Sequence, residues 1–214
     1  MDILYKRGFA VDQRVDAVIN SANGFLLLGT SGAGRIRKKS QRLTPGERKE
    51  YAALLDKLPK CIKNDYLRVY REQRWTPTYA QLGCLRILVN KRVKEFRRGD
   101  AVLQEAWSKT DRRPVIHAVG MSYKLRIHDS SRLKATPATL ASALRKALRL
   151  ADSRGAKSIA LPLMCARPTY GVGPKESLRI TRSVLRGCKA KNINKAIVCF
   201  DNSITIDYLK RVLG

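Results

Sequence analysis

The run Ser158-Ile159-Ala160-Leu161-Pro162-Leu163-Met164 is apolar at every position but the first. A strand that is apolar on both faces has to be covered on both faces, so this chain needs helices above and below a sheet. The flanking pattern supplies them. Thr136 and Pro137 form an N-cap and N1 pair that opens a helix running to about Ser153. Its apolar face is Leu140, Leu144, Ala147, Leu148 and Ala151, and Gly155 stops it. After the loop Cys165 to Pro174 a second helix runs to about Gly187, followed by a strand over Ala196 to Phe200 and a short helix around Ile206 to Leu213. Earlier, Val15 to Asn20, Ala101 to Leu103 and Pro114 to Val119 read as strands. The alternation predicts a mixed central sheet with helices on both sides.

The chain has 214 residues, enough for one sizeable core and short for two. With 44% apolar and 29% charged residues its composition is globular and unlike that of a disordered tail. No apolar run approaches the 18 or so residues of a membrane-spanning helix. Met1 to Ala10 carries charge early and has no long apolar core, so no secretory signal is expected and the expected address is the cytoplasm. The five cysteines (Cys61, Cys84, Cys165, Cys188, Cys199) include no CxxC pair and only two histidines accompany them, so no metal centre is expected.

Charge is the strongest bulk signal. Lys plus Arg number 44 against 17 Asp plus Glu, a net +27, and such a field attracts polyanions. The middle segment, Arg37 to Arg98, concentrates it, with 18 basic and 6 acidic residues. From Pro45 onward it reads as mainly helical, with apolar residues at helical spacing (Leu54, Leu55 and Leu58, then Leu85, Leu88 and Val89) and breaks at Pro59 and Pro77. Tyr51, Tyr66, Tyr70, Trp75, Tyr79 and Phe96 are interleaved with the basic residues. Two readings are open. RNA or single-stranded DNA can bind such a mixture, or the aromatics pack inward and the charges are solvated.

Val15-Asp16-Ala17-Val18-Ile19-Asn20-Ser21-Ala22-Asn23 resembles the "VDAIVNAAN" signature of macro domains, with Gly8 standing where that family has the glycine of "GDIT". Leu27 to Ile36 is similar to the family's first glycine-rich loop, Gly99-Asp100-Ala101 to "GEA", Val115-Ile116-His117-Ala118-Val119 to "VIHTV", and Tyr170-Gly171 with Pro174 to "YGYP". The resemblance covers Gly8 to Ile36 and Gly99 to about Lys210. Residues 37 to 98 are longer than the family's usual connection and are expected to be a helical insertion in one domain spanning 1 to 214. The resemblance implies a three-layer α/β/α fold and ADP-ribose as ligand, free or carried on a macromolecule, with no cofactor.

Glycine-rich turns let backbone N–H groups converge on a diphosphate, and Gly29-Thr30-Ser31-Gly32-Ala33-Gly34 leads into a helix N-terminus suited to that. By resemblance the Asn23 amide faces the distal ribose, which also makes it the one catalytic candidate; the bland reading is an asparagine closing a turn. Asn20 reads as a structural tie. Arg167, Thr169, Tyr170 and Gly171 belong to the second loop, which by resemblance closes over the diphosphate. Phe9, Ala10 and Asn202 complete the ligand-binding positions the resemblance implies. His117 falls on a buried strand and reads as a core histidine, and Cys165 as an inert thiol at a strand end.

Three departures from the family pattern bear on function. Phe9 occupies the position of an acid that accepts from the adenine amino group. Ala33 occupies that of the first-loop aspartate in the hydrolytic branch. Ala166-Arg167-Pro168-Thr169 replaces "STG". The expectation is therefore ADP-ribose binding with weak or no hydrolysis. The alternatives are an ADP-ribosyl hydrolase or ADP-ribose 1″-phosphate phosphatase, with Asp100 or Asp201 as substitute acids, and a nucleic-acid-binding protein on a divergent macro scaffold.

Overall fold

The computed structural model describes residues 1–29, 31–122, 134–166, 171–200, 208 and 211. Six strands are present: β1 (Asp2–Arg7), β2 (Ala17–Asn23), β3 (Ala101–Gln104), β4 (Val115–Met121), β5 (Ser158–Pro162) and β6 (Lys195–Phe200). They form one sheet in the order β1-β6-β5-β2-β4-β3, parallel except for β3, which pairs antiparallel with β4. The helices are α1 (Ser31–Lys39), α2 (Pro45–Asp56), α3 (Lys60–Glu72), α4 (Tyr79–Asn90), α5 (Pro137–Ser153) and α6 (Pro174–Arg186). A 3-10 turn, Ala10–Asp12, follows β1.

The pleat sends alternate residues of each central strand into two separate cores. Val18, Val115 and Val119 pack with α1 to α4, and Ala17, Ile19, Ile116, Ile159 and Val198 pack with α5 and α6. The mixed sheet covered on both faces is the architecture that the doubly apolar run at 158 to 164 demanded. Asp16 fixes the start of β2 against β5: its carboxylate accepts from the Lys157 and Ser158 backbone N–H groups and from the Ser158 hydroxyl, at 2.8 to 2.9 Å. Burial opposes ionisation of Asp16, but these hydrogen bonds outweigh it and hold the carboxyl below its ordinary range.

Thr136 caps α5 as its sequence indicates, accepting from Thr139 N–H while the Thr139 hydroxyl accepts from Thr136 N–H. Gly155 sits beyond the end of α5 at φ 70°, where a side chain would be strained. In the middle segment, Thr44 and Glu47 form a reciprocal cap on α2, Pro59 precedes α3, and Pro77 precedes the Thr78 cap of α4. The expected terminal helix at 206 to 213 lies outside the described residues apart from two isolated positions. One strand, β1, was not expected. It is an edge strand paired only with β6, Asp2, Leu4, Lys6 and Arg7 are exposed, and its apolar stretch is only the three residues Ile3 to Tyr5.

Tyr51, Tyr66 and Tyr70 are all at least 92% buried, and Trp75, Tyr79 and Phe96 pack against the same core. Of the two readings of these aromatics, the inward-packed one holds. No helix among the described residues is long and apolar enough to cross a membrane.

Candidate functional site

The carboxyl ends of the parallel strands open into a cavity of about 730 Å³. Open α/β sheets place ligands at this end of their strands, and the volume is that of a small-molecule site. The cavity wall takes Gly8 to Val11 after β1, Asn20 to Asn23 of β2, Met121 of β4, Pro162 at the end of β5 and Phe200 of β6. The N-termini of α1 and α6 face it through Ser31, Gly32, Ala33 and Pro174. Helix N-termini present unpaired N–H groups and partial positive charge; the Arg68 side chain of α3 also lines the wall, paired with Glu72 at 3.5 Å and Asp65 at 3.8 Å. The site is therefore shaped for an anion.

The glycine-rich loop is built by close approach. A Cβ on Gly34 would stand 2.7 Å from the Gly29 carbonyl oxygen, whereas a Cβ on Gly29 or Gly32 would meet nothing within 4 Å. Gly34 thus lets α1 fold against its own entry loop, while Gly29 and Gly32 keep backbone bare toward the cavity. The chain reaches this loop through Leu26 at φ 52°, and the preceding turn is held by Asn23. Its Oδ1 accepts from Phe25 and Leu27 N–H, each at 3.1 Å, and its Nδ2 donates to the Leu27 carbonyl at 2.9 Å. Asn23 lines the cavity, yet most of its amide is engaged in closing the turn.

Asn20 is 97% buried and donates to His117 Nδ1 at 3.1 Å across the β2–β4 pair. Gln104 donates its own amide to the Ala80 and Ala106 carbonyls, so its Oε1 must accept from His117 Nε2, at 2.7 Å. His117 is fully buried, and burial lowers its pKa to about 4. It is a neutral core histidine with both ring nitrogens engaged. Asn20 ties two strands together behind the cavity wall.

Phe9 is 37% exposed at the cavity rim, with the Arg35 guanidinium 5.7 Å from its ring centroid. Arg35 also bonds the Asp12 carboxylate at 3.2 Å, so Asp12, three residues after Phe9, is already paired. Ala10 is buried and on the wall. Gly171, at φ 115°, packs against Lys134 and Ala135 and does not line the cavity. Thr30, Arg167, Thr169, Tyr170 and Asn202 lie outside the described residues, as do His128 and Asp201. Asp100 is bound to Lys146 at 2.6 Å and is not on the wall.

Cys165 lines the cavity with φ 53° and is 96% buried. Burial pushes its thiol up to about 11 against a weaker opposing hydrogen bond with Ser21, and burial pushes Cys199 up to about 12. Both are protonated at neutral pH and poor nucleophiles. No group of three or more His, Cys, Asp or Glu able to hold a metal occurs among the described residues.

The contribution of α3 and the turn after it carries no motif in the sequence. Arg68, Val69, Glu72, Gln73 and Trp75 form one side of the cavity. Behind them, buried Gln81 of α4 accepts from Leu28 N–H at 2.9 Å and donates to the Leu26 carbonyl at 3.2 Å and to the Tyr66 hydroxyl at 3.3 Å. Tyr66 in turn donates to the Phe25 carbonyl at 2.5 Å. The Arg37 guanidinium stacks 3.8 Å over Trp75 while its Nε bonds the Leu28 carbonyl at 3.2 Å. The middle segment backs the first loop from behind.

Fold and site together define a three-layer α/β protein whose cavity is formed by strand ends, a glycine-rich loop and two helix N-termini. Comparison with known proteins places it more closely. A family model for the macro domain matches residues 84–181. The Oceanobacillus iheyensis macrodomain with MES bound superposes with a TM-score of 0.60 at 18% identity, over 99% of this chain and 90% of that one. A mutant of the same macrodomain with ADPR gives 0.57 at 18%, over 99% and 92%. The Trypanosoma brucei macrodomain in complex with ADP-ribose gives 0.57 at 19%, over 99% and 69%. An uncharacterized protein of Saccharolobus solfataricus is 24% identical over the whole chain and 93% of its own length. Residues 84–181 thus match the macro domain model, and the chain as a whole has the fold of the macrodomain structures.

Proposed function

We propose that the cavity binds ADP-ribose, or an ADP-ribosyl group carried on a macromolecule, with weak or no hydrolysis. The observation that carries this reading is the pairing of bare backbone at Gly29 and Gly32 with two helix N-termini on one cavity of about 730 Å³. That arrangement suits a diphosphate, which is held by N–H groups and not by a lysine clamp. The structural relatives crystallised with ADPR and ADP-ribose support the choice of ligand. The adenine falls toward Phe9, whose ring offers a stacking face but no acceptor for the adenine amino group.

Hydrolysis is weak in this reading because Ala33, at the N-terminus of α1, has no base to offer. Calorimetric titration with ADP-ribose, with ADP and AMP as controls, tests the proposal. Micromolar or tighter binding that requires the distal ribose is the expected result. No heat with ADP-ribose would sink it.

A hydrolase remains the second reading because of one side chain. Glu72 is the carboxylate that the cavity wall contains among the described residues, and it is half-exposed beside Arg68 at 3.5 Å. Release of ADP-ribose from a modified protein, abolished by Glu72→Gln with ADP-ribose affinity retained, would favour this reading over the first.

A further inference from the structure

The sequence spreads its cations along the whole chain, but the fold gathers a set of them on the layer formed by α5 and α6. Residues 137 to 195 carry 13 Lys and Arg against 2 Asp and Glu. Four of these cations, Lys175, Arg179, Arg182 and Arg186, recur at four-, three- and four-residue steps and so form one stripe down α6. Eleven residues of helix give that stripe a length of about 16 Å. On α5, which packs against α6, Arg145 and Arg149 are exposed.

Between the C-terminal halves of the two helices lies a second groove, of about 510 Å³. It stays open because α6 turns Ser183 and Gly187 toward α5, and its rim carries Arg145, Arg149 and Lys189. Two of the thirteen cations, Lys146 and Arg154, are paired with Asp100 and Glu105 from outside the segment, and the two acids inside it leave the rest in excess. Asp152 also lines the groove, its carboxylate held ionised by the Lys191 and Asn192 backbone N–H groups at 3.1 and 2.7 Å, and offsets part of the charge there; Glu176 lies on the first turn of α6.

We infer that the α5–α6 face is a docking surface for the phosphate backbone of nucleic acid, read without sequence preference. Charge complementarity selects a polyanion, and the predominance of arginine suits the paired oxygens of phosphate. The large hydrophobics exposed among the described residues are Met1, Leu4, Phe9 and Leu67, none of them on α5 or α6. A membrane or a protein partner would therefore find no apolar anchor on this face. The aromatics of the middle segment pack into the core, so among the described residues they give base stacking no platform either. Binding through phosphates alone should be strongest where phosphate density is highest, on a duplex. The surface is separate from the strand-end cavity, so this inference does not depend on the ADP-ribose reading.

Fluorescence anisotropy of a labelled mixed-sequence duplex of about 20 base pairs, repeated with a single strand and across a salt series, tests the inference. The variant R145Q/R149Q/R179Q/R186Q is compared with K49Q/K57Q/K60Q/R71Q, which removes the same charge from exposed positions on α2, α3 and the turn between them. The expected result is tight duplex binding that collapses with salt. The first variant should weaken it roughly ten- to a hundredfold and flatten the slope of log K against log salt, while the second stays within about threefold of the parent. Circular dichroism melts confirm that both variants are folded. Equal weakening by the two variants would overturn the inference, since binding would then follow net charge. So would an absence of duplex binding, or tighter association with phosphatidylserine vesicles than with the duplex.

Discussion

Gly32 and Gly34 stand two residues apart at the start of α1, yet a side chain would meet different surroundings at each. At Gly34 a Cβ presses on the Gly29 carbonyl at 2.7 Å, and at Gly32 it projects into open space. Gly34→Val should therefore destabilise the fold by about 1 to 3 kcal/mol through overpacking. Gly32→Val should change stability by less than about 0.5 kcal/mol and still weaken ADP-ribose binding at least tenfold, because its methyls enter the space proposed for the diphosphate. Urea melts and titration of both variants separate the effects; unchanged ADP-ribose affinity in Gly32→Val would move the diphosphate elsewhere. His117 gives a pH signature of its own. Its folded pKa, about 4, lies below the ordinary 6.5, so the unfolded chain takes up a proton in that window and the folded chain does not. Stability should fall as pH drops from about 6.5 toward 4, by up to about 3 kcal/mol. Asp16, held below the ordinary carboxylate range, contributes to acid loss only at lower pH. Urea melts at pH 7 and 4.5 should show the loss in the parent and much less of it in His117→Asn; an equal loss in both would assign the window to other groups.

Elements that look remote in sequence hold the first loop in place. Gln81 of α4 and Tyr66 of α3 bind the backbone from Phe25 to Leu28. Gln81→Ala leaves a buried N–H, a carbonyl and a hydroxyl short of a partner, at a cost of about 1 to 3 kcal/mol for such a group. We expect a lower melting temperature and ADP-ribose affinity reduced tenfold or more. A lower melting temperature with full affinity would mean that the loop keeps its shape without α4. This dependence was not legible in the chain, because hydrogen bonds spanning 41 to 55 residues leave no periodic trace. What was legible is what local chemistry dictates: the doubly apolar β5, the Thr136-Pro137 start of α5 with its glycine stop, and the β2 signature with its glycine-rich loop. The antiparallel β3 was seen as a strand, but its direction is a property of the sheet. Edge strand β1 was missed because its apolar stretch, Ile3 to Tyr5, is short and set among charged residues. Asn23 shows the limit of a motif: a place on the cavity and a turn-closing role were offered by the sequence as alternatives, and the fold gives one amide both.

At the scale of the whole molecule, charge sets how stability responds to salt. With 44 cations and 17 acids, every acid can be paired and most of the excess cations still repel one another. The pairs that form are mostly at the surface. Lys39–Asp12, Arg86–Glu50 and Lys109–Glu47, at 2.5 to 2.8 Å, have cationic side chains 37 to 40% exposed, where each contributes about 1 kcal/mol or less. Salt weakens both terms, but repulsion among unpaired charges acts over longer distances and is screened first, the Debye length shrinking from about 30 Å at 0.01 M to about 3 Å at 1 M. The melting temperature should therefore rise with sodium chloride, by roughly 5 °C or more between 0.02 and 0.5 M for a domain of this size. Chloride is the right salt for the measurement, because sulfate or phosphate could occupy the strand-end cavity and stabilise the fold by binding. A melting temperature that falls over the same range would mean that the ion pairs, led by the two-pronged Arg86–Glu50 contact, outweigh the self-repulsion of the basic surface.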